Sequence, residues 1–159
     1  MRETDTHIFF WGEEFSNWYD CRFLYKGNKF YNSEQAFMWE KARFFEDGEI
    51  AGRILETPNP SVAKRLGRQV KNFDSNKWMN PGYQFMIDVN ISKYTQDEEL
   101  KEKLLSTGNK ILVEASPYDA IWGIGLGEGN DEILDENNWK GLNLLGKALM
   151  EVRNIIKNQ

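Results

Sequence analysis

Between Tyr31 and Gly108 the chain is punctuated by helix-start signals, and that punctuation constrains the fold more than any other feature of the sequence. Asn32 or Ser33 caps a helix that reaches about Glu46. Asp47-Gly48 breaks it, and residues 49–56 make a second helix. Asn59-Pro60 joins a cap to a proline at the first helical position and opens a third, ending near Val70. Pro81 suits the first turn of a fourth helix ending near Lys93, and Asp97 caps a fifth that stops at Thr107-Gly108. Strand-type runs lie outside this block, at residues 6–11, at 22–31 folding back on Gly27-Asn28, and at 111–113. A loop-rich stretch over 116–138, with Gly123, Gly125, Gly127 and Gly129, precedes a last helix over 141–157. With no repeat and no linker composition, residues 1–159 are expected to form one α+β domain, mainly helical with a small β-sheet.

Composition removes several chemistries. One His and one Cys exclude a Cys/His zinc site, and a Ser–His–Asp triad would have to use His7, which reads as a strand-flanking residue beside Phe9-Phe10. No metal and no cofactor are expected. Carboxylates, lysines and tyrosines are left for acid–base and covalent work. The lone Cys21, with no apolar run of membrane-spanning length and no leader pattern, points to a cytoplasmic protein that engages no membrane. A net charge of −5 disfavours a broad nucleic-acid-binding face. The local cluster Lys64, Arg65, Arg68, Lys71 and Lys77 reads first as a solvated helix face, with a phosphate-binding patch as the alternative.

The helix after Ser33 is the most informative segment. At 100° per residue, Glu34, Phe37, Met38, Lys41 and Phe45 share one stripe, and Ala36, Glu40, Arg43 and Asp47 fall on the opposite, solvent side. An acid and a base on an apolar stripe cost desolvation unless they are paired or line a wet pocket. Seven residues separate them by roughly 10 Å of helix axis, and Lys41 leans back toward Glu34. Desolvation among rings would lower the Lys41 pKa and favour its nucleophilic neutral amine. A core-edge lysine reaching out to water has the same spacing, so both readings stand at this point.

A second constellation is Pro117-Tyr118-Asp119-Ala120-Ile121-Trp122-Gly123-Ile124-Gly125. Asp119 is suited to ribose hydroxyls, Trp122 to stacking, and the glycines to close approach of backbone amides to a phosphate. The competing reading is an ordinary turn with a core tryptophan. Two glycine patterns are decoys. Residues 123–128 lack the third glycine of a dinucleotide fingerprint, and 141–147 has phosphate-loop spacing but Ala148 where Mg²⁺ needs a hydroxyl.

Taken in order, the blocks Phe15-Ser16-Asn17-Trp18, Asn32-Ser33-Glu34-Gln35-Ala36-Phe37-Met38-Trp39, Lys41-Ala42, Leu66-Gly67-Arg68, Trp78, Lys93-Tyr94, Leu104-Leu105, Thr107-Gly108, Leu112 to Pro117 with Asp119, Trp122-Gly123 with Gly125, and Gly141 with Asn143, Leu145-Gly146, Leu149-Met150 and Val152-Arg153 resemble the NADAR, or YbiA-like, family. The resemblance spans nearly the whole chain. It implies the YbiA-like α+β fold and an N-glycosidase that hydrolyses a C1–N bond to a phosphorylated ribose. The preferred substrate on this footing is ADP-ribosylated guanine, free or in nucleic acid. A ribosylamino pyrimidine phosphate of riboflavin synthesis is the alternative, and a non-catalytic ADP-ribose-binding module is a third possibility.

Carried over by position, the resemblance makes Glu34, Lys41 and Asp119 catalytic: Glu34 for acid–base work, Asp119 to fix ribose hydroxyls, and Lys41 to attack C1 or lend its charge. It makes Phe15, Ser16, Asn17, Trp78, Trp122, Gly123 and Asn143 substrate-binding. Two departures stand out. Gln35-Ala36-Phe37 replaces the His-Tyr-Phe that many members carry, and Gly82 stands where many have a basic residue four positions after the tryptophan.

Overall fold

The computed structural model describes all residues, 1–159. The chain forms two compact units: one made of Met1–Ser16 and Glu98–Gln159, the other of Asn17–Asp97. The architecture is α+β and mainly helical. No helix is long and apolar enough to cross a membrane.

The unit built from the chain ends holds a three-stranded sheet. Strands β1 (Arg2–Glu3), β2 (His7–Phe10) and β5 (Ile111–Glu114) lie in the order β1-β2-β5. β1 runs antiparallel to β2, and β2 runs parallel to β5 with His7 opposite Ile111 and Phe10 opposite Glu114. Helix α5 (Glu98–Ser106) leads into β5, and helix α6 (Leu144–Lys157) closes the chain. Phe9, Val113, Ala115, Ile124, Leu126 and Ile133 form the core on the sheet. His7 opens β2 as a strand-flanking residue, with Nε2 2.9 Å from Glu136 Oε1 and its ring stacked on Phe9.

The Asn17–Asp97 unit is a hairpin, β3 (Phe23–Tyr25) and β4 (Asn28–Phe30), with four helices: α1 (Ser33–Phe44), α2 (Gly48–Leu55), α3 (Pro60–Gly67) and α4 (Ser75–Thr95). α1 packs on α2, α3, α4 and β4, which makes it the central element of the unit. Its start is doubly fixed. Asn32 Oδ1 accepts from Gln35 N at 2.8 Å, while the Gln35 side chain accepts from Tyr31 N and donates to Ile54 O. Asp47 ends this segment by capping α2, and its second oxygen accepts from Lys71 N. These two backbone bonds hold the Asp47 carboxyl below the usual carboxylate range.

Four expectations shift. The hairpin turns on Lys26-Gly27 rather than Gly27-Asn28, because Tyr25 pairs with Asn28 and both turn residues have positive φ, 49° and 81°. α4 starts at Ser75, where Asp74 Oδ1 accepts from Asn76 N and Lys77 N, and it runs on through Pro81. That cap, with the packing of Trp78, outweighs the local cost of the proline. The last helix begins at Leu144 because residues 142 and 143 donate to Ala120 O and Gly123 O rather than extend the helix. The largest change concerns α1: the face expected to meet solvent is buried at Ala36, Glu40 and Asp47.

Candidate active site

Sequence order and capping place the proposed acid and base on α1. Asn17 O accepts the Glu34 N–H at 3.0 Å, so the segment preceding Trp18 is tied to the first turn of the helix. Two turns later Lys41 lies half-buried, its Nζ 4.2 Å from the centroid of the Phe73 ring. The amine forms neither a hydrogen bond nor an ion pair. Burial pulls its pKa below the ordinary lysine value; the Glu34 carboxylate opposes that shift and the Arg68 guanidinium adds to it. Glu34 and Lys41 are therefore brought into one electrostatic neighbourhood, half-buried and close enough to act on each other's charge.

Aromatic rings form the floor of this neighbourhood. Trp78 lies among Phe37 at 5.5 Å, Phe44 at 5.5 Å, Phe45 at 6.0 Å and Phe85 at 5.7 Å between ring centroids, and Phe45 meets Phe73 at 5.3 Å. Trp78 is buried, and its indole rests against the backbone of its own helix at Gly82. A Cβ at Gly82 would come within 2.9 Å of the ring.

Asn17 is 7% exposed, its Nδ2 reaches only Met86 Sδ at 3.5 Å, and its Oδ1 is buried with no partner. A buried acceptor left unsatisfied costs about 1–3 kcal/mol, so this one, beside the start of α1, is a candidate contact for a donor group.

The other expected residues belong to the unit of the chain ends. Phe15 is core, edge-on to Phe10 at 5.7 Å, and Ser16 is buried with its N–H on Glu13 O. Asp119 Oδ1 accepts from Ile121 N and Trp122 N, both at 2.9 Å, so one carboxylate oxygen shapes the loop. Gly123 sits where a Cβ would meet Asp119 O at 2.9 Å and Glu114 O at 3.0 Å. The amides of Ile124 and Gly125 donate to Glu114 O and Asp119 O, and Trp122 is partly buried. Asn143 is engaged at both ends of its amide by β5, accepting from Glu114 N and donating to Leu112 O. Its backbone is left-handed, φ 53°.

Three residues outside the expected set also shape the Asn17–Asp97 unit. Phe73 carries the Lys41 ammonium, Arg68 adds a second cation beside it, and Glu40 anchors a buried network. Arg68 was visible in the Leu66-Gly67-Arg68 block; Phe73 had no sequence signal beyond being aromatic. Nowhere are three His, Cys, Asp or Glu side chains gathered as a metal-ligand set.

The NADAR domain model matches residues 9–157. An N-glycosidase of Acanthamoeba polyphaga mimivirus is 38% identical, covering 95% of this chain and 96% of its own length. The N-glycosidase YbiA of Shigella flexneri is 33% identical over 88% of this chain and 79% of its own. A riboflavin biosynthesis protein of Vibrio vulnificus is 30% identical over 87% of this chain, which spans 34% of that longer protein. The NMR structure of the E. coli protein YbiA superposes with a TM-score of 0.79 at 30% identity, covering 99% of this chain and 88% of the other. The fold is thus YbiA-like, and the chain is an enzyme of the NADAR family.

Proposed function

We propose that this enzyme hydrolyses the C1–N bond between ribose and the amino nitrogen of a base, with ADP-ribosylated guanine as the preferred substrate. One observation carries the reading: the half-buried Lys41 amine, free of hydrogen bonds, with its pKa lowered by burial and a carboxylate on the same helix acting on it. The relatives named N-glycosidase support the bond type.

Glu34 in its acid form gives a proton to the ribose ring oxygen, and the ring opens with C1 bound to the base nitrogen as an iminium. The neutral Lys41 amine adds to C1. A proton passes from the Lys41 nitrogen through Glu34 to the base nitrogen, and the base leaves as a neutral amine. Water then adds to the imine joining C1 to Lys41, the lysine departs as an amine, and the freed aldehyde closes to ribose. The net change is addition of water across C1–N, with no redox partner. The orphaned Asn17 Oδ1 is suited to a substrate hydroxyl.

The relative named for riboflavin biosynthesis favours a second reading, in which a ribosylamino pyrimidine phosphate undergoes the same chemistry. Incubation with an oligonucleotide carrying ADP-ribosylguanine, and separately with that pyrimidine compound, decides between them by which one releases free base. Release from neither retires both. Borohydride added during turnover is expected to leave a reduced sugar adduct on the peptide containing Lys41. Turnover with no adduct at any pH would remove the covalent role of the lysine.

A further inference from the structure

Helix α3 carries two cations that the chemistry above does not use. Lys64 and Arg68 are four residues apart, so they share one face of the helix and its C-cap, about 6 Å apart along the axis. Neither head forms a hydrogen bond or an ion pair with a carboxylate. The position of this face is fixed by Gly67, whose Cα packs directly against the side chain of Met38, one turn of α1 before Lys41. α3 is thereby pressed onto α1, near enough that the Arg68 guanidinium acts on the Lys41 charge alongside Glu34.

The other end of the same face meets an aromatic ring. Lys64 Nζ lies 6.0 Å from the centroid of Trp18, and that indole is 45% exposed. Trp18 follows Asn17, whose carbonyl is bonded to Glu34 N, so the ring is held near the start of α1. From Arg68 to Lys64 to Trp18 there runs a line of cation, cation and exposed ring, beginning beside Lys41. Two cations one helical turn apart match the spacing of neighbouring phosphates, and an exposed indole offers a flat face on which a base can stack. A solvated helix face accounts for the charges alone, but not for their approach to Lys41 or for the ring beneath Lys64.

We infer that Arg68, Lys64 and Trp18 form a nucleotide-recognition strip, Arg68 and Lys64 holding a diphosphate and Trp18 stacking the base beyond it. The strip rests on the proposed reaction only in that Lys41 marks where the ribose C1 lies. It selects a nucleoside diphosphate ribose over a sugar bearing one phosphate.

The test is calorimetric titration of the full chain with ADP-ribose and with ribose 5-phosphate, for wild type and for Arg68→Gln, Lys64→Gln and Trp18→Ala, each checked for native far-UV circular dichroism. Arg68→Gln is expected to weaken both ligands roughly tenfold or more, because it removes a charge-assisted contact. Lys64→Gln and Trp18→Ala are expected to weaken ADP-ribose by roughly tenfold and leave ribose 5-phosphate unchanged. Wild-type affinity for ADP-ribose in both Arg68→Gln and Lys64→Gln overturns the strip, as does equal loss of both ligands in Trp18→Ala. These outcomes are separable from the proposed reaction. Cleavage of ADP-ribosylguanine with unchanged binding in the variants sinks the strip alone. The expected binding pattern with no cleavage leaves the strip and sinks the reaction.

Discussion

Glu40 and Lys41 are neighbours on α1, and they are treated by the fold in opposite ways. Glu40 is 2% exposed and fully answered: Tyr25 Oη donates to it at 2.6 Å, Lys26 Nζ at 2.5 Å and Arg43 at 3.3 Å. The buried Tyr25 hydroxyl is driven far above its ordinary pKa by burial and by that carboxylate, so it stays a donor. Lys26, strained at φ 49°, is held at the hairpin turn by the same ion pair. Lys41 has none of this, only a ring beneath it and two opposed charges nearby. A buried charge with every partner in place is what a folded core requires, whereas a half-buried amine without a hydrogen bond is available to a substrate. One residue of helix rotation separates a stabilising network from a reactive group.

Removing the reactive side should give the largest effect. Lys41→Met and Glu34→Gln are each expected to lower kcat about 10²- to 10⁴-fold, with unfolding free energies from urea titration within about 0.5 kcal/mol of wild type. Full activity in either variant, or a collapse in stability, would erase the contrast with Glu40. The structural side should behave in reverse. Glu40→Ala strands the Tyr25 hydroxyl and frees the hairpin, and is expected to cost about 3 kcal/mol of unfolding free energy. Activity per folded molecule should stay within a few-fold of wild type. Between these lies the aromatic floor. Gly82→Ala pushes a methyl into the Trp78 ring and is expected to cost about 1–2 kcal/mol, as overpacking does. It should raise KM more than it lowers kcat, because the floor moves and the two ionisable groups do not.

Much of this was legible in the sequence, and the failures have a common cause. Asn32 and Asn59 act locally, through bonds to amides two or three residues on, so their caps could be read without knowing the fold, whereas Asp47 was read only as a break. Glu34 and Lys41 stood out because they interrupt an apolar stripe. Glu40 did not, since a helical wheel assumes one buried face and α1 has neighbours on several sides. Only the hairpin, arriving through Tyr25 and Lys26, turns its face inward, and no local pattern announces a partner fifteen residues away. Pro81 misled for a similar reason: its penalty is local, whereas Trp78 on the same helix is held by Phe37 and Phe44 of α1, far away in sequence. In the unit of the chain ends, Asp119 and Gly123 were read as ligand-facing because their residue types suit ligands, and Asn143 was so assigned by the family resemblance. Types that bind phosphates and sugars also make tight loops, and the bonds they form there are to the loop and to β5.

The smallest expected effect sharpens the contrast most, because it isolates charge from packing. Lys41 titrates below an ordinary lysine because burial penalises its ammonium, with Arg68 adding to the shift and Glu34 opposing it. Lowering a folded pKa means that the unfolded chain holds more protons between the two values, so stability rises with pH across that window. For the same reason the neutral amine becomes abundant at a lower pH than in free lysine. The rate of Lys41 modification by an acylating reagent, mapped by mass spectrometry against pH, reads that titration directly and needs no turnover. Removing a cation favours the ammonium, so Arg68→Gln should move the profile upward. Removing the anion disfavours it, so Glu34→Gln should move it downward. Both shifts should be small, since solvent partly screens these groups. Glu40→Gln, one residue away but facing the hairpin, should leave the profile where it was. A shift with Glu40→Gln as large as with Glu34→Gln would mean that the two faces of α1 share one electrostatic field, and Lys41 would then be part of the same structural network as its neighbour.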